Sequence, residues 1–267
     1  MSAMHVDLRL DPFDASWAEV RDGANAVVNA GFAGIWTPDH LDGRVFDADR
    51  VLECWTTLTA IAVATSDVIV GPLVLNVANR HPGVLATMAA TLQDVSGGRL
   101  LLGLGAGGGR DARYEREQTA IGRPVPPDRV RRAQVEACVG ELRRLWTAPG
   151  FLQPDPAPPV VIAASGPKMA EIAGRVGDGI NVPAAHPALP ALVEVAREAH
   201  AGVGRDPDAF LVAVHSELEQ SWLDADSAPR AELAALGVDR LILFLDPPFD
   251  AERIGRAPLR DDERSES

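Results

Sequence analysis

Short, continuously apolar runs rich in Val, Ile and Leu alternate along the chain with longer stretches whose apolar residues recur every three to four positions. The runs predict strands at Met4–Leu10, Gly34–Thr37, Val68–Leu75, Leu100–Gly105, Val160–Ala164, Gly179–Val182, Phe210–Ser216 and Arg240–Leu245. The periodic stretches predict helices at Trp17–Ala30, Arg50–Thr65, Pro82–Val95, Pro127–Trp146, Pro167–Val176, Pro187–Ala201 and Ala228–Leu236. Most of the strands lack a polar alternation, as expected of parallel strands buried on both faces. Eight strands joined by helices in a chain of this length predict an α/β fold, a closed (β/α)8 TIM barrel. An open doubly wound sheet would carry a glycine-rich phosphate turn after its first strand, and here that strand runs into Asp11-Pro12-Phe13 instead.

Punctuation agrees with the pattern. Gly31, Gly177 and Gly237 stand where helices stop, and Pro82 and Pro167 stand in first turns. Gly105–Pro127 and Thr147–Pro159 read as irregular loops. Residues 1–256 are expected to form one barrel domain with a weak last helix at Asp250–Arg256, and 257–267 a charged, disordered tail.

The composition supports a large core and narrows the partners. Apolar residues make up 46% of the 267. The net charge of −13 opposes nucleic-acid backbones and anionic membranes. Lys168 is the single lysine of the chain. Cys54 and Cys138 lie in helical patterns without metal-ligand spacing and read as buried thiols, and no His or carboxylate cluster implies a metal. With neither an 18-residue apolar run nor a leader-like start, a cytoplasmic protein is expected.

In a barrel, chemistry gathers at the C-terminal ends of the strands. Asp39-His40 brings a carboxylate and an imidazole to the end of the second strand, a place for proton transfer or for a structural hydrogen bond. Arg80 and His81, ahead of Pro82, are candidates to cap a helix or face solvent. The glycines of 105–109 allow either close backbone approach to a flat or phosphorylated ligand or simple loop flexibility. Ala164-Ser165-Gly166-Pro167 before Lys168 opens a helix, which is an anion site or an ordinary turn of small residues. No Gly-x-Ser-x-Gly elbow is present, which disfavours a serine hydrolase.

Taken together in order, Trp36-Thr37-Pro38-Asp39-His40, Glu53-Cys54-Trp55, Gly71-Pro72-Leu73-Val74, Arg80-His81-Pro82, Gly97-Gly98-Arg99-Leu100, Leu102-Gly103-Leu104-Gly105-Ala106-Gly107, Ala164-Ser165-Gly166-Pro167 and Gly177-Asp178-Gly179 resemble the luciferase-like flavin and deazaflavin oxidoreductases. The match is nearer the F420-dependent branch, which includes a glucose-6-phosphate dehydrogenase. The resemblance implies coenzyme F420 as cofactor, with FMN as the alternative, a small-molecule substrate, and a homodimer.

By the same resemblance, Leu73-Val74 forms a bulge with a non-prolyl cis peptide behind the ring. Asp39 meets the ring edge and His40 its reactive face. Gly105, Ala106 and Gly107 line the cofactor and substrate side. Ala164, Ser165, Gly166 and Lys168 meet the phosphate-bearing chain, flanked by Val182 and Pro183. Hydride transfer at the deazaflavin C5 to or from a small, uncharged or weakly polar organic molecule is the implied reaction, with His40 handling the proton. An FMN-dependent monooxygenase using oxygen and a non-catalytic cofactor-binding protein are the other readings.

The chain departs from the sugar-phosphate dehydrogenases at Gly108, where they carry an acid. It also departs at Ser221–Ala228, which replaces an insertion bearing basic phosphate ligands, so a phosphorylated sugar is not the expected substrate.

Overall fold

The computed structural model describes residues 4–110, 112–249 and 251–255. Nine parallel strands run in chain order: β1 (His5–Leu10), β2 (Gly34–Thr37), β3 (Ile69–Pro72), β4 (Leu75–Asn76), β5 (Leu102–Gly105), β6 (Val160–Ala163), β7 (Gly179–Pro183), β8 (Leu211–Glu217) and β9 (Arg240–Leu245). They pair in the order β3-β2-β1-β9-β8-β7-β6-β5-β4. β3 and β4 are two halves of the single strand expected over Val68–Leu75, separated by a cis Leu73–Val74 peptide. A parallel bridge between Val70 and Leu100 brings the two edges together, so the sheet is a nearly closed barrel with helices between its strands.

The helices are α1 (Trp17–Asn29), α2 (Cys54–Ala64), α3 (Pro82–Val95), α4 (Glu115–Ala120), α5 (Asp128–Leu145), α6 (Pro167–Val176), α7 (Leu189–Gly202), α8 (Gln220–Leu223), α9 (Ala228–Ala235) and α10 (Ala251–Ile254). Ser16 and Glu19 form a reciprocal capping box at the start of α1. α2 begins four residues later than its periodicity implies, because Val51 bridges Phe13 and holds that segment extended. The Glu53 carboxylate then caps the helix by accepting from the amides of Trp55 (3.0 Å) and Thr56 (2.7 Å). α4 lies within the stretch expected to be irregular. Gly31 and Gly237 adopt positive φ as helix stops, whereas Gly177 ends α6 in an extended conformation. At Gly177 a Cβ would stand 2.7 Å from the Ala173 carbonyl oxygen, so space rather than φ requires the glycine. The expected tail over 257–267 lies outside the described residues.

Two apolar layers hold this arrangement. The larger lies between strands and helices, and the smaller fills the barrel with Trp36, Leu73, Leu101, Val161, Ala213 and Ile242. Trp36 fits because β3 carries glycine opposite it: a Cβ on Gly71 would come within 2.5 Å of the indole. The Trp36 indole N–H donates to Asp7 at 2.9 Å, and Arg240 donates to the same fully buried carboxylate at 2.7 and 2.8 Å. This paired charge closes the lower end of the barrel, and the upper end is left open. Cys54 and Cys138 are buried free thiols. Burial pushes the Cys54 thiol well up, and the Cys138 thiol up to about 12.

Candidate active site

The strand ends surround two adjacent cavities, of about 640 and 160 Å³, that share the lining residues Val74, Gly107, Gly108 and Tyr114. The Leu73–Val74 bulge forms the wall between them. Glycine makes that wall possible: at Gly105 a Cβ would meet Val74 Cγ2 at 2.6 Å, and at Gly107, where φ is +68°, it would meet the Asn76 amide at 2.5 Å. Gly108 has no room for a side chain, because Tyr114 packs within 2.7 Å of where its Cβ would stand.

Asp39 and His40 line the smaller cavity, together with Leu73. The Asp39 side chain is fully buried and accepts four hydrogen bonds. They come from the Asn76 amide (2.9 Å), Asn79 Nδ2 (3.1 Å) and both terminal nitrogens of Arg80 (2.8 and 2.9 Å). Arg80 is therefore a bidentate partner inside the site, neither a cap nor a solvent-facing residue. Its neighbour His81 caps α3 by accepting from the Gly83 amide at 3.1 Å.

His40 is held differently. Its Nδ1 lies 2.8 Å from Glu117 Oε1, and the other oxygen of Glu117 accepts from the Leu41 amide at 2.5 Å. Phe46 meets the imidazole edge-on at 4.5 Å and Tyr114 stacks on it at 5.3 Å. With Nδ1 committed to a buried carboxylate, Nε2 is the nitrogen left to exchange a proton. Glu117 and Gln118 come from α4, whose six residues are too few to show a period. The helix is fixed by these contacts and by the Gln118 amide donating to Asn79 Oδ1 at 2.6 Å.

The larger cavity is lined by Val74, Gly105, Ala106, Gly107, Ala164, Ser165, Gly166, Lys168 and Pro183. Val182 is not among the lining residues, since the strand's alternation buries its side chain in the outer core. α6 starts at the mouth of this cavity without a capping side chain, which leaves its first N–H groups open to an anion. Lys168 is exposed beside them and has no carboxylate partner among the described residues. Arg131 of α5 clamps the glycine loop, donating to the carbonyls of Ala106 (3.1 Å), Gly107 (2.5 Å) and Gly108 (3.0 Å). Glu117, Arg131, Tyr114 and His215 all line these cavities without having been marked by any local motif. Among the described residues no group of three or more His, Cys, Asp or Glu is placed to hold a metal ion, and no helix is long and apolar enough to cross a membrane.

Known proteins of similar sequence and fold can be set beside it. The 5,10-methylenetetrahydromethanopterin reductase of Methanolobus tindarius is 28% identical over 241 residues, covering 85% of this chain and 68% of the relative. An F420-dependent glucose-6-phosphate dehydrogenase of Beutenbergia cavernae is 31% identical over 166 residues, 56% of this chain and 48% of that protein. Among solved structures, an F420-dependent secondary alcohol dehydrogenase in complex with an F420-acetone adduct superposes with a TM-score of 0.78 at 17% identity, covering 97% of this chain and all of that one, which shows a common fold. The family model of luciferase-like monooxygenases matches residues 2–253, nearly the whole length. The chain belongs to the luciferase-like monooxygenase family, and the relatives similar to it include F420-dependent oxidoreductases.

Proposed function

We propose that the protein is an F420-dependent oxidoreductase that transfers a hydride to or from a small uncharged organic substrate. The observation that carries this reading is a pair of adjoining cavities at the strand ends, with a paired imidazole in one and an uncapped helix N-terminus with the lone lysine at the other. The residues present fit such a cofactor. The glycine loop packs flush against Val74 and Asn76, where any Cβ would strike them, and the α6 N-terminus with Lys168 suits a phosphate. Leu73 and Val74 would back the ring, Gly105, Ala106 and Gly107 would lie along it, and Ala164, Ser165, Gly166 and Lys168 would hold the phosphate-bearing chain, with Pro183 beside it.

F420, when bound, supplies two-electron hydride chemistry at its deazaflavin C5. The protein has to manage the accompanying proton. His40 does so at Nε2, because Glu117 fixes Nδ1 and thereby the orientation of the ring. Glu117 thus provides an acid in the site although Gly108 cannot. Asp39 acts one layer back: it holds Arg80, Asn79 and the backbone of Asn76, and so the floor on which the glycine loop rests. Phe46 and Tyr114 pack against the imidazole and hold its ring in place.

The test is to follow the 420 nm absorbance of the cofactor with a panel of enones, imines and secondary alcohols, in air and without oxygen. Substrate-dependent change at equal rates in both atmospheres is the expected result. Turnover only with reduced FMN and oxygen would instead identify a monooxygenase, and cofactor binding with no turnover across the panel would identify a carrier.

A further inference from the structure

The larger cavity contains a polar pair that the reading above leaves unused. Asn181 of β7 and His215 of β8 both line it. Ile180 and Val182 face the outer core, so Asn181 between them faces into the barrel, where its Oδ1 lies 2.7 Å from His215 Nδ1. Asn181 is 1% exposed, yet its Nδ2 has no hydrogen-bond partner. A buried amide hydrogen left unmet is costly, so such an atom marks a place where a ligand completes the structure.

His215 is kept neutral. Phe244 stacks on it at 5.2 Å, and the Arg9 guanidinium lies over the same phenyl ring. Burial first, and the Arg9 charge second, lower the imidazole to about 4. A neutral imidazole has one donor and one acceptor nitrogen. If Nδ1–H donates to Asn181 Oδ1, the pair offers the cavity the Asn181 amide as donor and His215 Nε2 as acceptor. If the amide is turned over, Nδ2 donates to Nδ1 and the pair offers Nε2–H as donor and Oδ1 as acceptor. Either way one donor and one acceptor are presented side by side.

The pair itself selects further: a neutral imidazole and amide supply no charge to offset that of an anion, and an ammonium group would leave the donor of the pair unmet.

We propose that Asn181 and His215 anchor the substrate through a neutral group that both donates and accepts a hydrogen bond, a hydroxyl or a primary carboxamide. This rests on the oxidoreductase reading, and it makes the two residues determinants of substrate class. They do not touch the travelling hydride.

The experiment uses the full-length 15N-labelled protein, with and without F420, titrated with benzyl alcohol, benzamide, benzoate and toluene. His215 ring and Asn181 side-chain signals are followed by NMR and assigned by their loss in His215→Phe and Asn181→Leu. Benzyl alcohol and benzamide are expected to move both sets of signals and to bind about tenfold or more tightly than benzoate and toluene. The two variants should lose that preference while F420 affinity, read by fluorescence, changes less than about threefold. The proposal is overturned if no probe moves the signals of the wild-type protein, or if benzoate or toluene binds as well as the alcohol and the amide. It is also overturned if F420 alone moves both signals and the variants weaken F420 binding about tenfold, since the pair would then hold the cofactor. Absence of F420 binding to the wild-type protein would sink the oxidoreductase reading, while the titrations without F420 would still report on the pair.

Discussion

His40 and Glu117 are 77 positions apart in sequence and 2.8 Å apart in space, and the expected proton chemistry depends on that contact. His40→Ala should lower turnover by about 10²-fold or more, the usual scale for removing a general acid or base, and leave F420 affinity within about tenfold. Unchanged turnover would remove His40 from the mechanism. Glu117→Gln retains the size of the side chain and loses its charge. A fall in turnover of roughly tenfold with a melting temperature within about 2 °C of wild type is expected; equal losses in both would mean that Glu117 only supports the fold. His40 was legible in the sequence because it closes Trp36-Thr37-Pro38-Asp39-His40 at a strand end. Glu117 was not, because it lies in six helical residues inside a stretch of glycine and arginine that carries no period. Arg80 was visible only as an ambiguous cation, since nothing local shows that its bidentate partner is Asp39.

Among the elements, the strands and long helices followed the hydrophobic pattern closely, because each is buried on the side its apolar residues define. The deviations have separate causes. The third barrel strand is interrupted where the chain turns through Leu73–Val74, and an uninterrupted run of apolar residues gives no sign of that break in pairing. The start of α2 was displaced by an antiparallel bridge to a distant loop. α6 matched its expected span, and its uncapped beginning sets up a charge effect that can be measured. Lys168→Ala should weaken F420 binding about three- to tenfold at low salt, with the difference shrinking as salt is raised. A loss that does not depend on salt would argue that Lys168 contributes packing instead of charge.

At the scale of the whole molecule, the barrel is closed below by Asp7, Arg240 and Trp36 and open above, where the cavities lie. His215 ties that arrangement to pH. Its folded value of about 4 lies below the ordinary 6.5, so the unfolded chain binds the proton more readily. Its contribution is complete above pH 6.5 and is lost as pH falls towards 4, a change on the order of 3 kcal/mol for a shift of this size. The raised carboxyls of Asp11 and Glu217 act in the opposite direction, so the comparison has to be made against His215→Phe. Denaturant titrations should show wild-type stability falling relative to the variant between pH 7 and 4.5; parallel curves would mean that the imidazole titrates normally in the fold. The TIM barrel itself was legible from the alternation of apolar runs and helical periods. What sequence alone could not give was the pairing of side chains across the barrel mouth, which depends on closure of the sheet.

The function turns on which cofactor the protein binds. Equilibrium titrations of coenzyme F420 and FMN against the purified protein, each followed by fluorescence, decide it. F420 is expected to bind at least about tenfold more tightly than FMN, in keeping with the glycine floor and the cationic mouth at Lys168. Equal or tighter binding of FMN, or no binding of either, would contradict the account.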